Sequence, residues 1–174
     1  MRHSGGVTSS IEVRPATQDD FAAVGRISVE AYDAAGQLEP RSLYREVLAD
    51  AETRFHRGLL LVAERDGEVV GTVTICPPDS FLAEICRQDE LEFRFLAVDP
   101  SAWQSGVASA LIQACEEQAR RMGAAQLAIC VQDTNTGAAA MYAKRGFMPD
   151  PERDWSPLQG INLLALTRPV ATTP

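Results

Sequence analysis

The segment from Val98 to Leu111 constrains the fold of this chain more than any other stretch. It reads V-D-P-S-A-W-Q-S-G-V-A-S-A-L, which is typical of a strand end, a tight turn of small residues and the start of an amphipathic helix. Such a turn leaves the first helical N–H groups without intrahelical partners, and these groups carry the positive end of the helix dipole. The segment therefore predicts an α/β protein in which this turn binds a phosphate or pyrophosphate.

Two common nucleotide-binding loops are excluded by the same segment. A Rossmann fingerprint requires G-x-G-x-x-G, whereas this turn contains a single glycine, Gly106. A Walker A loop requires a Gly-Lys pair, and no such pair occurs anywhere in the chain. The predicted phosphate site therefore depends on backbone N–H groups without the help of a P-loop lysine.

Two motifs resemble the GNAT superfamily of acyl-CoA-dependent N-acyltransferases. The first is roughly V-x-P-x-x-[QR]-x-x-G-x-[GA], and residues 98–108 match it except at Trp103, where the family usually has Gln or Arg. The second is N-x-x-A-x-x-[LM]-Y-x-x-x-G-F, and residues 135–147 match it at every fixed position. Because an indole has a single donor, either Gln104 takes over the phosphate contact or the affinity for CoA is reduced.

The resemblance implies acetyl-CoA as a co-substrate, no metal ion, and a strand that separates from its neighbour before the turn. Backbone N–H groups around Ala97 and Val98 would bind the thioester carbonyl, and Asn135 would contact the pantetheine arm. The turn from Gln104 to Ser109 would hold the pyrophosphate, because small residues keep its backbone approachable. The residues expected to contact acetyl-CoA are Leu96, Ala97, Val98, Trp103, Gln104, Ser105, Gly106, Val107, Ala108, Ser109, Asn135, Ala138 and Tyr142.

Two residues are the candidates for proton transfer during acyl transfer to an amine. Tyr142 is the candidate acid for the leaving thiolate, because a phenol with an ordinary pKa of about 10 keeps its proton at neutral pH. Glu92 is the candidate base, since several members of the family have a glutamate at this distance from the motif valine. Glu90, two residues earlier on the same strand face, and a water molecule remain alternatives to Glu92.

Strand alternation predicts which side chains share a face with Glu92. Over Leu91 to Val98, period-two alternation places Leu96 on the face of Glu92. It places Phe95 and Ala97 on the opposite face.

The expected reaction is direct attack of an amine on acetyl-CoA in a ternary complex, because the motifs contain no cysteine in a nucleophile's position. The acceptor is a small-molecule or peptide amine, and the carboxylates between Asp79 and Glu92 favour a cationic one. The loop Asp150–Pro157 either covers the acceptor or is anchored by Trp155. A non-catalytic acyl-CoA-binding regulatory module of the same fold is the alternative function, and Trp103 keeps it open.

Length and composition limit the remaining classes of protein. The 174 residues favour one N-acyltransferase domain over residues 11–170 after a disordered arm over residues 1–10. The net charge of −8 argues against a nucleic-acid partner. No apolar run approaches the ~20 residues of a membrane span, so we expect a cytoplasmic protein without a membrane partner. We expect it to be a monomer or a homodimer. The four cysteines fit no zinc spacing and are expected to be free thiols.

The order of predicted elements completes the fold prediction. Strands and helices follow one another as βααβββαβαββ, with a hairpin at Asp66-Gly67 and a single second helix over Pro40–Phe55. A third helix is predicted over Gln104–Met122. The chain is thus expected to be α/β, with a GNAT-like mixed, mostly antiparallel sheet of about six to seven strands flanked by about four helices.

Overall fold

The computed structural model describes residues 9–171 as one mixed sheet with helices on both faces. The strands are β1 (Glu12–Pro15), β2 (Leu59–Arg65), β3 (Glu68–Cys76), β4 (Glu90–Val98), β5 (Gln126–Gln132), β6 (Met148–Pro149), β7 (Trp155–Leu158) and β8 (Ile161–Pro169). The helices are α1 (Phe21–Ala34), α2 (Tyr44–Ala49), α3 (Ala51–Arg57), α4 (Val107–Met122) and α5 (Thr136–Lys144).

The sheet has the order β1-β2-β3-β4-β5-β8-β6, and β7 pairs with β8. The β4–β5 pair is parallel, and the other strand pairs in the described residues are antiparallel. The predicted mixed, mostly antiparallel sheet is therefore confirmed, and it has eight strands because β6 and β7 add two short ones.

Three boundaries differ from the sequence prediction. The second helix is two helices, because Asp50 has ψ 78° and its carboxylate accepts the backbone N–H of Thr53 at 2.9 Å. The third helix begins at Val107 rather than Gln104, since Gln104 and Gly106 have positive φ angles of 59° and 88°. The loop 150–157 contains most of β7. Of the arm expected over residues 1–10, residues 1–8 lie outside the described residues.

The sheet is covered on both faces by apolar helix faces. Helix α4 packs Leu111 and Cys115 onto Val73 and Phe93 of the central strands, and all four are fully buried. Helices α1 and α3 cover the opposite face, where Val24 packs with β2. The apolar faces of α1 and α4 thus bury the sheet.

Gly71 of β3 allows the first turn of α4 to lie close to the sheet. A Cβ atom built on Gly71 would lie 2.6 Å from Cγ1 of Val107 and 3.2 Å from the carbonyl oxygen of Ala97. Any larger residue would therefore push the start of α4 away from the end of β4. This glycine fixes the distance between the predicted phosphate turn and the strand that precedes it.

Candidate active site

The centre of the candidate site is a gap between β4 and β5. Their pairing covers Glu90–Gln126, Leu91–Leu127 and Glu92–Ala128, and no further pair follows along β4 in the described residues. The amide of Asp99 donates to Val70 of β3 at 2.9 Å. Because successive amides of an extended strand alternate sides, the N–H groups of Val98 and Leu96 point away from β3 into this gap.

A β-bulge at Phe95 corrects the predicted side-chain alternation. Thr72 pairs with Ala97 and Thr74 with Arg94, so two residues of β4 oppose one of β3, and Phe95 has φ 56°. As a result Phe95 lies on the Glu92 face, with its ring against two arginines.

The residues after the bulge follow the shifted alternation. Ala97 packs with Ile27 and Ala31 of α1 on the Glu92 face, while Leu96 packs with the α4-side core. The simple alternation was therefore wrong after Arg94, because a bulge shifts every later side chain to the other face.

The turn Gln104–Ser109, here called the cradle, presents free backbone donors. Gly106 precedes α4 in the left-handed region, and the first intrahelical bond from this end is that of the Ala110 amide to the Gly106 carbonyl at 3.1 Å. The amides of Val107, Ala108 and Ser109 therefore have no intrahelical partner, and no side chain caps them. This geometry matches an anion-binding helix terminus.

Two arginines that the sequence motifs did not identify flank the cradle. Arg65, at the end of β2, donates to the carbonyl oxygen and to Oγ of Ser105, both at 3.1 Å. Arg145, at the end of α5, donates to Oγ of Ser109. The signal for Arg145 was its position three residues after Tyr142 on the same helix face, whereas nothing local in the sequence pointed to Arg65.

Trp103 uses its single donor inside the protein. Its Nε1–H donates to the carbonyl oxygen of Val98 at 2.9 Å, and the indole is 45% exposed. Trp103 therefore supports the strand end and has no N–H left for a phosphate. Positive charge beside the cradle comes instead from the flanking arginines, Arg65 and Arg145.

Tyr142 of α5 reaches toward the gap from the α4 side of the sheet. Its ring packs against Phe93 and Phe147 with centroid distances of 6.1 and 5.4 Å, and the residue is 3% exposed. Burial raises the pKa of Tyr142 well above its usual value, and the phenol of Tyr32 from the opposite face adds to the rise. Tyr142 is thus protonated at neutral pH and can donate a hydrogen bond.

Asn135 and Ala138 lie at the N-terminal end of α5. Oδ1 of Asn135 accepts the backbone N–H of Ala138 at 3.0 Å, so Asn135 is the N-cap of α5. Its side-chain amide N–H groups make no hydrogen bond in the described residues. The capping role therefore leaves donors free for a ligand.

Glu92 is fully buried, and the loop between β3 and β4 holds its carboxylate. Oε2 accepts the backbone N–H groups of Glu84, Ile85 and Cys86 at 2.9 to 3.0 Å. Oε1 is buried and has no hydrogen-bond partner in the described part of the chain. Burial raises the pKa of Glu92, and the three backbone bonds oppose that rise.

Glu90, the alternative base, has both oxygens engaged. Arg153 donates to Oε2 at 2.7 Å and to Oε1 at 3.2 Å, and the amide of Arg87 donates to Oε2 at 3.1 Å. Of the two carboxylates, Glu92 is the one that retains an oxygen without a partner.

The other carboxylates of the acidic stretch are also largely paired within the fold. Glu84 forms an ion pair with Arg94 at 2.6 Å, and Asp79 accepts from Gln88 at 3.0 Å. Arginine counter-ions thus neutralise Glu84 and Glu90, which reduces the charge excess that favoured a cationic acceptor.

Aromatic side chains border the Glu92 face of the gap. The rings of Tyr32 and Tyr44 lie 6.2 Å apart, and the positive charge of Arg94 acts on both phenols. Trp155, on β7, is 37% exposed. The sequence pointed to Trp155 but not to the tyrosines, which lie outside both motifs.

A groove of about 390 Å³ begins at the cradle and runs along α4. It is lined by Ser109, Ile112, Gln113, Glu116, Arg120, Arg145 and Arg168. Glu116 pairs with both Arg120 and Arg168, so positive charge exceeds negative charge in this groove. A second cavity, of about 490 Å³, lies at the α3–β2 junction and contains none of the predicted site residues.

Three further observations concern the described residues alone. Residues 9–171 contain no cluster of three or more His, Cys, Asp or Glu side chains arranged to hold a metal ion. None of their helices is both long and apolar enough to cross a bilayer. All four cysteines are free thiols, as expected.

A curated acetyltransferase is similar to most of this chain. The chain is 31% identical to a mycothiol acetyltransferase of Sanguibacter keddieii over 132 residues, which are 75% of this chain and 40% of that protein. The chain thus spans well under half the length of this curated relative.

Solved structures share the fold at low sequence identity. The ribosomal-protein-S18-alanine N-acetyltransferase from Escherichia coli aligns with TM-score 0.68 and 18% identity, over 95% of this chain and 97% of that one. The PaiA N-acetyltransferase from Thermoplasma acidophilum, solved in complex with coenzyme A, aligns with TM-score 0.69 and 17% identity, over 90% and 98%. A model of the acetyltransferase (GNAT) family matches residues 22–147, and the chain therefore belongs to this family of acetyltransferases.

Proposed function

We propose that this protein transfers an acetyl group from acetyl-CoA to a primary amine by direct attack in a ternary complex. The observation that carries the proposal is that the parallel pairing of β4 with β5 ends at Glu92 and Ala128, which leaves a gap between the two strands beyond that point. The cradle and Tyr142 approach it from the α4 side, and Glu92 lies on the opposite side. Two substrates can therefore meet without a covalent acyl-enzyme.

The donor side fits the parts of acetyl-CoA. The free amides of the cradle, flanked by Arg65 and Arg145, suit the pyrophosphate. The groove along α4 suits the remaining nucleotide part, because its excess of arginine attracts phosphate. The strand amides of Leu96 and Val98 suit the pantetheine arm and the thioester carbonyl, where donors stabilise the charge that develops on oxygen.

Binding of CoA is measurable by itself. At a ligand concentration of 100 times Kd, a protein that binds only when folded gains about 2.7 kcal/mol, which raises the Tm of a chain of this size by roughly 5–10 °C. Thermal unfolding with and without CoA should show this rise, and calorimetry should show saturable binding. No saturable binding at millimolar CoA would rule out the proposed donor site.

The chemistry forms one C–N bond and breaks one C–S bond. Oε1 of Glu92, directly or through water, accepts a proton from the amine, which must be neutral to attack. The carbonyl oxygen gains charge beside the strand amides, and the sulfur leaves as a thiolate. Because the pKa of buried Tyr142 exceeds the ~8.5 of a thiol, complete transfer of its proton is uphill. Tyr142 therefore acts first as a hydrogen-bond donor to the thiolate.

Replacing Glu92 with Gln should lower the rate in a pH-dependent manner. A lysine-like acceptor has a pKa of ~10.4 and is mostly protonated at neutral pH, so it needs a base there. Near and above that pKa the amine is already neutral, and the variant should approach the wild-type rate. In the wild type, kcat/KM should fall as pH decreases through a pKa higher than that of an ordinary glutamate, because burial raises it.

The matched control for this variant is Glu90→Gln, on the same strand face. A defect in Glu90→Gln with a normal Glu92→Gln would assign the base to Glu90. A Glu92→Gln loss that is equal at all pH values would mean that Glu92 positions the loop or the acceptor instead.

The alternative function is a non-catalytic module that binds acyl-CoA. One hydrogen bond favours this alternative. The indole N–H of Trp103 donates to the carbonyl oxygen of Val98, so this carbonyl at the edge of the gap already has a partner within the protein. The two functions differ in one observable, since only the enzyme releases free thiol from acetyl-CoA in proportion to added amine.

A further inference from the structure

Arg54 of α3 is a buried cation without a buried anion beside it. It is the largest of the fully buried side chains, at 1% exposed, and within residues 9–171 no carboxylate lies within ion-pair distance of it. Its donors reach the carbonyls of Leu48 and Asp50 at 2.7 and 3.3 Å, and Oγ of Ser28 at 3.2 Å. A buried charge that is paired only with neutral acceptors is costly to a fold.

Arg54 is nevertheless charged at neutral pH. Burial lowers its pKa to about 10, which still leaves the guanidinium protonated. The charged and titratable groups that act on it are Tyr32, Tyr44 and Asp50, and the Asp50 carboxylate is turned to the amide of Thr53. The net charge at this point of the interior is therefore positive.

The guanidinium of Arg54 lies against Phe95, the bulge residue of β4. The distance from its central carbon to the ring centroid is 5.0 Å, and the guanidinium of Arg94 lies 4.5 Å from the same ring. A cation that lies over the face of an aromatic ring is attracted by the ring's electrons, so both guanidinium groups hold the Phe95 ring in place. Arg94 has Glu84 as its counter-ion, whereas Arg54 has none.

Phe95 is also where the backbone is strained. A φ of 56° is rare for a bulky residue and costs on the order of 1–3 kcal/mol, so it persists only where the surroundings enforce it. The next residue is Leu96, whose amide points into the gap. Phe95, held by its two guanidinium contacts, thus lies directly behind a donor that the proposed reaction uses.

We propose that Arg54 is a positioning residue for acetyl transfer. It braces Phe95 at the bulge and places a positive charge, with no counter-ion among the described residues, beside the residue that precedes the Leu96 amide. The field of this charge favours the negative charge that develops on the thioester oxygen. This inference rests on the proposed function, and it adds to that function a residue outside both sequence motifs.

The test compares Arg54→Met, which removes the charge, with Arg54→Lys, which keeps it. We expect Arg54→Met to lower kcat roughly tenfold to a hundredfold, the size expected for one charge several ångströms away at an effective dielectric constant of about 20. The KM for acetyl-CoA should change by no more than about twofold, because the cradle is intact. Arg54→Lys should recover most of the lost kcat.

The matched control is Arg14→Met. Arg14 forms ion pairs with Asp20 and Glu64 at 2.8 and 2.9 Å, so its loss should also lower stability. It lies on β1, three strands from β4, or about 14 Å across the sheet. The kcat of Arg14→Met should therefore remain at the wild-type value. Equal kcat losses in Arg14→Met and Arg54→Met would mean that general destabilisation explains the effect, and would overturn the proposal.

A double-mutant cycle with Phe95→Leu tests whether Arg54 acts through the Phe95 ring. The losses in kcat from Arg54→Met and Phe95→Leu should be less than additive, because both remove the same contact. Strict additivity would contradict a brace through Phe95. If Arg54→Met fails to fold, the kcat values of Phe95→Leu and Arg54→Lys still test the proposal. Phe95→Leu should lower kcat, and Arg54→Lys should keep most of it.

Amide NMR shifts of the ligand-free protein separate this inference from the proposed function. Arg54→Met should shift the Leu96 and Val98 amides, whereas Arg14→Met should leave them in place. If the Leu96 and Val98 amide shifts are unchanged in a folded Arg54→Met protein, the proposed bracing of Phe95 is wrong, even when the wild type is fully active. A wild type that releases no thiol with any amine would instead refute the proposed function, while shifted amides would still support the bracing.

Discussion

Gly106→Glu should abolish measurable CoA binding. The new carboxylate would project from the cradle at the start of α4, where the pyrophosphate is proposed to bind. Two like unit charges about 4 Å apart at an effective dielectric constant of 20 repel by about 4 kcal/mol. That repulsion corresponds to about a thousandfold weaker Kd, which calorimetry with CoA would detect as a loss of binding.

Gly123→Glu is the matched control for this substitution. Gly123 ends the same helix, also with a positive φ of 69°, and nothing lies within 4 Å of an added Cβ there. It therefore brings the same charge and a similar backbone strain to α4, but at the far end from the cradle. Gly123→Glu should bind CoA with wild-type affinity. A Gly106→Glu protein that still binds CoA normally would show that the anion site lies elsewhere.

Tyr142→Phe should lower turnover by about 10²- to 10⁴-fold while leaving the affinity for CoA nearly unchanged. The substitution keeps the aromatic packing against Phe93 and Phe147 and removes the hydroxyl alone. The hydroxyl makes no hydrogen bond to another described residue, so its loss leaves no buried partner unsatisfied. Steady-state kinetics and calorimetry on the same variant would separate the two effects.

The outcome for Tyr142→Phe also decides how the thiolate is stabilised. Unaltered turnover at all pH values would remove Tyr142 from the reaction and leave solvent to protonate the sulfur. A loss in CoA affinity equal to the loss in turnover would assign Tyr142 to binding rather than to the chemical step.

Structural elements that depend only on neighbouring residues in the chain could be predicted from the sequence. The strand, turn and helix around Gly106 follow from small residues, a glycine and an apolar period of 3.6. The hairpin at Asp66-Gly67 follows from a turn signal between two apolar runs, and both residues have positive φ in the structure. Asn135 is the N-cap of α5, and asparagine is a residue that favours this position, so this helix start also follows a local rule.

The features that depend on tertiary contacts were not predictable from one sequence. The bulge at Phe95 has no glycine or proline to mark it, because neighbouring side chains enforce its strained backbone. Gly71 resembles an ordinary strand glycine until α4 is placed against it. Arg54 looks like an exposed helix residue, since its acceptors come from α1 and the α2–α3 junction, which the sequence predicted as one continuous helix.

The most direct test of the central claim is amine-dependent release of free thiol from acetyl-CoA. A panel of primary amines, including amino acids, amino sugars, polyamines and peptide N-termini, would be assayed with the wild type and with Gly106→Glu. We expect that at least one amine gives thiol release with an acetylated product, that the initial-rate lines for the two substrates intersect, and that Gly106→Glu is inactive. Saturable CoA binding without amine-dependent thiol release for any amine would contradict it and identify a non-catalytic acyl-CoA-binding protein.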